Sequence, residues 1–96
     1  MFVISLNYIG SLEQVDSLLE EHIEFLTEQY NRKIFIASGR KIPRTGGVIL
    51  AAGNNKNEIN SVIKQDPFYI NKVAEYDIVE FSPSMTLPEF ETLIEQ

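Results

Sequence analysis

Apolar and polar residues alternate from Phe2 to Tyr8: Phe2, Ile4, Leu6 and Tyr8 fall on one side, with Val3, Ser5 and Asn7 between them. A period of two predicts a strand with one strongly apolar face. Gly10 breaks the run. Ser11-Leu12-Glu13-Gln14 then reads as a capping box, with Ser11 as N-cap and Gln14 reaching back to it. The spacing now changes to threes and fours. Val15, Leu18, Leu19, His22, Phe25, Leu26 and Tyr30 form an apolar stripe, with Asp16, Glu20, Glu24 and Glu28 opposite. One helix is predicted, closed by Asn31-Arg32-Lys33, whose cations suit its negative pole.

Ile34-Phe35-Ile36-Ala37 reads as a second strand, apolar on both faces, with a bulge or bend expected at Ser38-Gly39 because glycine inside a strand marks one. Ile42 to Gly47 is the connecting loop, its glycines suited to a tight turn. Val48 to Ala52 is a third strand, again apolar on both faces. After the turn Gly53-Asn54-Asn55, a second helix starts with Asn55 as cap and Glu58 at the capping-box position, and Ile59, Val62 and Ile63 form its inner stripe. Asp66-Pro67 ends it, since a residue before proline avoids the helical region. Phe68 to Lys72 is a short turn. Val73 to Phe81 is a fourth strand, with Tyr76 and Ile78 on one face and Val79 and Phe81 on the other. Leu87, Phe90 and Ile94 mark a last helix over 86–95.

The order β-α-β-β-α-β predicts a ferredoxin-like α+β fold: a four-stranded antiparallel sheet with both main helices on one face, in one domain over 1–96 with its core at 2–83. The other face is left bare. The double-sided apolar character of strands two and three calls for a second cover, and a second copy of the same sheet is the simplest one. A homodimer through the sheet face is therefore expected, with the C-terminal helix lying across the partner.

Composition removes several function classes. The net charge of −6 disfavours a phosphate backbone as partner, so no nucleic acid is expected. No apolar run approaches the roughly 20 residues that cross a bilayer, and the start lacks a basic leader, so no membrane partner is expected. The chain has no cysteine, which excludes disulfides, thiolate catalysis and Cys-based zinc sites and fits a reducing, cytoplasmic location. No cofactor fingerprint is present, and one histidine with scattered carboxylates has no metal-ligand spacing.

The chemistry left is carried by few residues. His22 is the single histidine, and three and four positions away lie Leu18, Leu19, Phe25 and Leu26, so it faces the sheet or a cleft. Burial favours its neutral ring and a carboxylate partner favours its cation, a balance that suits proton transfer. A core histidine bonded to backbone or tyrosine has the same pattern. Asp66 either orients the imidazole, caps the turn at Pro67, or does both. Arg40 and Arg44 flank Pro43 and suit an anionic substrate better than Lys41 does; a solvated hairpin tip has the same composition. Ser38 is a candidate pocket donor, and Tyr8 and Phe68 are candidates to line a pocket for a planar ligand.

Taken together, the helix-borne His22, the loop Ser38-Gly39-Arg40-Lys41-Ile42-Pro43-Arg44-Thr45-Gly46-Gly47 and the segment Asp66-Pro67-Phe68 resemble the YCII-related family of small dimeric α+β barrels. The resemblance runs from about Phe2 to Pro83. It implies a dimer with a pocket in each subunit and a His–Asp pair carried onto His22 and Asp66. Relatives with assigned chemistry resemble lyases or isomerases acting on small aromatic or carbonyl-bearing compounds. The chain departs from the family pattern at Tyr69-Ile70-Asn71-Lys72, where many members have small residues and glycine. Two functions are expected on this footing: a small enzyme without cofactor that moves a proton between His22 and a small organic molecule, or a non-catalytic dimeric module that binds such a molecule or simply assembles.

Overall fold

The computed structural model describes residues 1–94. The alternating segment at the start is β1 (Phe2–Tyr8), with Phe2, Ile4 and Leu6 buried and Val3 and Ser5 half-buried. It pairs antiparallel with β3 (Gly46–Ala51) on one side and β4 (Ala74–Glu80) on the other, and β2 (Phe35–Arg40) lies outside β3. The sheet order β2-β3-β1-β4 is that of a ferredoxin-like α+β fold.

The capping box forms as expected. Ser11 Oγ accepts from the Gln14 amide and Gln14 Oε1 accepts from the Ser11 amide. The single helix predicted after it is broken at Leu18 into α1 (Leu12–Ser17) and α2 (Leu19–Asn31). Ser17 Oγ donates back to the Gln14 carbonyl at 2.6 Å and the Leu18 amide bonds the Val15 carbonyl, a tightened turn that bends the axis. Past the bend, α2 buries His22, Phe25 and Gln29, while Leu19 and Tyr30 of the predicted stripe stay partly exposed. Asn55 caps α3 (Lys56–Ile63), which buries Ile59, Val62 and Ile63. The helix stops at Ile63, three residues short of Asp66, and Pro67 starts the one-turn α4 (Pro67–Ile70). Pro at the first helical position and a carboxylate cap are the two local signals that favour such a start.

The structure corrects three expectations. The bulge in β2 lies at Ile36, where Phe35 faces Ala51 and Ala37 faces Leu50, while Ser38 and Gly39 pair regularly. Gly46 and Gly47 are not turn residues but the first residues of β3, opposite Asn7 and Leu6. The helix expected over 86–95 is a 3-10 helix over Pro88–Leu93 with no buried residue, because the chain leaves the sheet after Glu80 and meets no core there. The end of that expected helix, residue 95, falls outside the described residues.

The helix-covered face holds the core, from Phe2 and Ile4 through Phe25, Phe35 and Ile49 to Phe68. Each large side chain taken fully out of water there contributes about 1.5–3 kcal/mol. On the open face, Leu50, Val3 and Val79 form a row across three strands. The β2 residues on that side are only Ala37 and Gly39, because the bulge resets the alternation. Among the described residues no helix is long and apolar enough to cross a membrane.

Gly46 has a steric reason to be glycine: a Cβ there would stand 1.8 Å from the Leu6 carbonyl oxygen. Gly46→Ala is expected to cost about 2–4 kcal/mol in urea unfolding. Gly39→Ala, with nothing within 4 Å of the added carbon, should change stability by less than about 0.5 kcal/mol.

Candidate active site

The short helix α4 exists because Asp66 caps it, and the same cap builds the site. Asp66 is fully buried, and its Oδ1 accepts the Phe68 amide at 3.0 Å. That oxygen also meets His22 Nδ1 at 2.8 Å, joining α2 to α4 across 44 residues of chain. Its Oδ2 accepts the Tyr76 hydroxyl of β4 at 2.6 Å. With the amide and the phenol donating, the carboxyl group acts as acceptor, so the ring nitrogen facing it, Nδ1, carries the hydrogen. Nε2 is the ring nitrogen that Asp66 does not engage.

Phe68 follows directly from the cap. Its ring lies on the His22 ring at 3.9 Å and 6° between planes, while Tyr8 meets Phe68 edge-on at 6.1 Å. Stacking on one side and the Asp66 bond at Nδ1 leave the imidazole one orientation. The bulky Tyr69 and Ile70 are turned outward and do not line the cavity.

His22 forms part of the wall of a pocket of about 260 Å³ between α2 and the β1-β3-β2 half of the sheet. Leu6, Leu19, Ile23, Leu26 and Ile49 make it apolar, and Tyr8, Ser38, Arg40 and Phe68 supply the remaining chemistry. Ser38 Oγ and Tyr30 Oη lie 2.6 Å apart, linking β2 to α2. Of the residues singled out in the sequence, His22 and Asp66 are in contact, and Tyr8, Ser38, Arg40 and Phe68 join His22 at the pocket. Arg44 does not line it. Its guanidinium is ion-paired with Asp16 of α1 and lies 5.9 Å from the centre of the Tyr8 ring. That hydrogen bond holds the Asp16 carboxyl below the usual carboxylate range and raises Arg44. Among the described residues no three His, Asp or Glu side chains gather to hold a metal ion.

Tyr76 is the site residue whose chemistry the sequence did not announce. The alternation of β4 placed it on the inner face, but its partner is ten residues back in another element. Burial, first, and then the charge and hydrogen bond of Asp66 push its phenol well above the ordinary tyrosine value.

Compared with known proteins, the chain matches the profile of the YCII-related domain over residues 1–82. No curated protein matches it. Among solved structures it is similar to the 5-chloro-2-hydroxyhydroquinone dehydrochlorinase TftG of Burkholderia phenoliruptrix in complex with 2,5-dihydroxybenzoquinone. The two share 16% identity over 83% of this chain and 91% of that one, with a TM-score of 0.73. At that identity the likeness is one of fold.

The raised phenol of Tyr76 has a consequence for stability. Below about pH 10, the unperturbed tyrosine value, both folded and unfolded chains keep the proton and the contribution is complete. Above it the unfolded chain ionises first, so stability falls as pH rises, by up to about 1.4 kcal/mol per unit. Chemical denaturation from pH 7 to 11 should show this loss in the native chain and a shallower slope in Tyr76→Phe. The variant should also be less stable at pH 7 by about 1–3 kcal/mol, because a buried carboxylate loses a donor.

Proposed function

The chain belongs to the YCII-related family, and from that premise we propose that it is a small enzyme of lyase or isomerase type in which His22 and Asp66 move a proton on a small organic molecule. The observation that carries this reading is the 2.8 Å contact between Asp66 and an imidazole that also lines a pocket. His22 Nε2 takes a proton from a carbon or hydroxyl next to a carbonyl. The cation that forms is stabilised by Asp66 through Nδ1–H. Returning the proton to another atom gives isomerisation; loss of a leaving group with its bonding electrons gives elimination. The name of the structural neighbour, a dehydrochlorinase, supports elimination as chemistry that this scaffold accommodates. An apolar cavity of roughly 150 Å³ holds a benzene ring, so about 260 Å³ admits one substituted ring.

In this reading a second copy covers the open sheet face, seated on the row Leu50-Val3-Val79 and on Phe81. Leu87 and Phe90, both exposed, extend the contact from the C-terminal segment. The cytosol is the proposed compartment, which the cysteine-free composition fits.

Turnover in a panel of hydroxylated quinones and halogenated hydroquinones tests the reaction. His22→Asn is expected to lower kcat by about 10²–10⁴ with the fold retained, and Asp66→Asn to lower it as far while costing about 1–3 kcal/mol of stability, because an amide nitrogen then faces one of the three donors. Variants as active as the native chain would leave a binding module. Sedimentation tests the assembly: the native chain should run as a dimer and Leu50→Glu as a monomer, since a buried, unpaired charge at the centre of the interface costs several kcal/mol.

A further inference from the structure

We propose that the ligand of this pocket is a monoanion, a single planar ring lying over Gly47 with its acidic group held by Arg40 and the Ser38–Tyr30 hydroxyl pair. The proposal rests on the reading of the pocket as the substrate site and adds the charge and orientation of the occupant.

Lys41 Nζ donates to Asn7 at 2.8 Å, Arg44 is paired with Asp16, and Arg32 donates to Gln29 at 3.1 Å. The side chains of Lys33, Arg40, Lys56, Lys64 and Lys72 make no hydrogen bond or ion pair among the described residues, and of these five only Arg40 lies on the pocket wall. The chain has 14 acidic residues to 8 basic ones, yet among the described residues no carboxylate lines that cavity. An uncompensated guanidinium beside apolar walls is a fork for a carboxylate or an acidic enol.

The register aims it. Arg40 stands opposite Gly47, and Gly47 opposite Leu6, so the three share the helix-covered face in one row across β2, β3 and β1. Two strand spacings separate the ends of that row, about 10 Å. The middle residue has no side chain, and a Cβ built there meets only the Gly39 carbonyl oxygen, at 3.1 Å. Neighbouring glycines therefore do different work: Gly46 avoids the β1 backbone, and Gly47 leaves the cavity floor open. Ser38 lies two residues before Arg40 on the same face. In its 2.6 Å bond with Tyr30 one hydroxyl donates, which leaves the other hydroxyl hydrogen free for an anion. The ring is thus anchored at the β2 edge and presented inward to His22.

Benzoate and its neutral isostere benzamide are the probes, followed by amide shifts in NMR titrations at pH 7. Benzoate should shift Leu6, Gly39 and Gly47 and bind about tenfold or more tightly than benzamide. Arg40→Gln should bring benzoate to the level of benzamide, and Arg44→Gln should leave the ratio unchanged. Gly47→Val should weaken both probes by about tenfold or more with the rest of the spectrum preserved. The Arg40 variant decides the charge claim by itself, because that side chain is exposed and its loss leaves the core intact. Equal affinity for the two probes, an unchanged Arg40→Gln, shifts at other residues, or no saturable binding would each overturn the proposal. The proton-transfer reading is separable: turnover in His22→Asn reads the reaction, and the benzoate-to-benzamide ratio in Arg40→Gln reads the anion site. Turnover lost in His22→Asn while benzoate shows no preference would remove the anion site and leave the reaction standing.

Discussion

The carboxylate of Asp66 is the joint on which this architecture turns. It is fully buried, and three donors from three elements converge on it: the Phe68 amide of α4, the imidazole of α2 and the phenol of β4. A charge taken out of water is costly unless such partners replace the lost hydration. The segment after α3 therefore has one place to go, with Pro67 beginning a turn of helix and Phe68 delivered onto the imidazole. Cap, imidazole partner and packing are the same few atoms, so the group proposed to serve the chemistry also fixes the chain around it.

The pocket has a different origin. It is the space left where β1, β3 and β2 run beneath α2 with no side chain at Gly47. The bulge at Ile36 sets which β2 residues face inward, turning Ser38 and Arg40 toward the helices and leaving Ala37 and Gly39 on the open face. One extra residue at the edge of the sheet thus determines both the polar lining of the cavity and the character of the opposite surface.

Features that depend on a few neighbouring residues were legible in the sequence. Helix α3 stops at Ile63, just short of Asp66-Pro67, and the alternation of β1, the Ser11–Gln14 box and the Asn55 cap all stand where expected. So did the inward face of His22, because helical spacing alone decides it. What escaped was set by distant partners. Arg44 looked like a substrate anchor until Asp16, 28 residues away, claimed it. Tyr76 could be assigned only to one face of its strand, since nothing near it in the chain announces a carboxylate. The bulge was expected at Gly39 on composition, but pairing with β3 decides it. The break at Leu18 coincides with one serine hydroxyl turning back on its own helix, a choice that periodicity does not encode.

The face-to-face contact of His22 with Phe68 has a stereochemical consequence. One face of the imidazole is covered, so an incoming molecule meets the ring from its edge or its other face, and in the proposed reading the Nε2 lone pair lies in the plane of the ring. Seated in the cavity, a flat compound shows this nitrogen one side and hides the other. Exchange at a prochiral methylene would then be handed, one hydrogen removed and its twin left in place, with the sense of selection fixed by an aromatic side chain that takes no part in bond making.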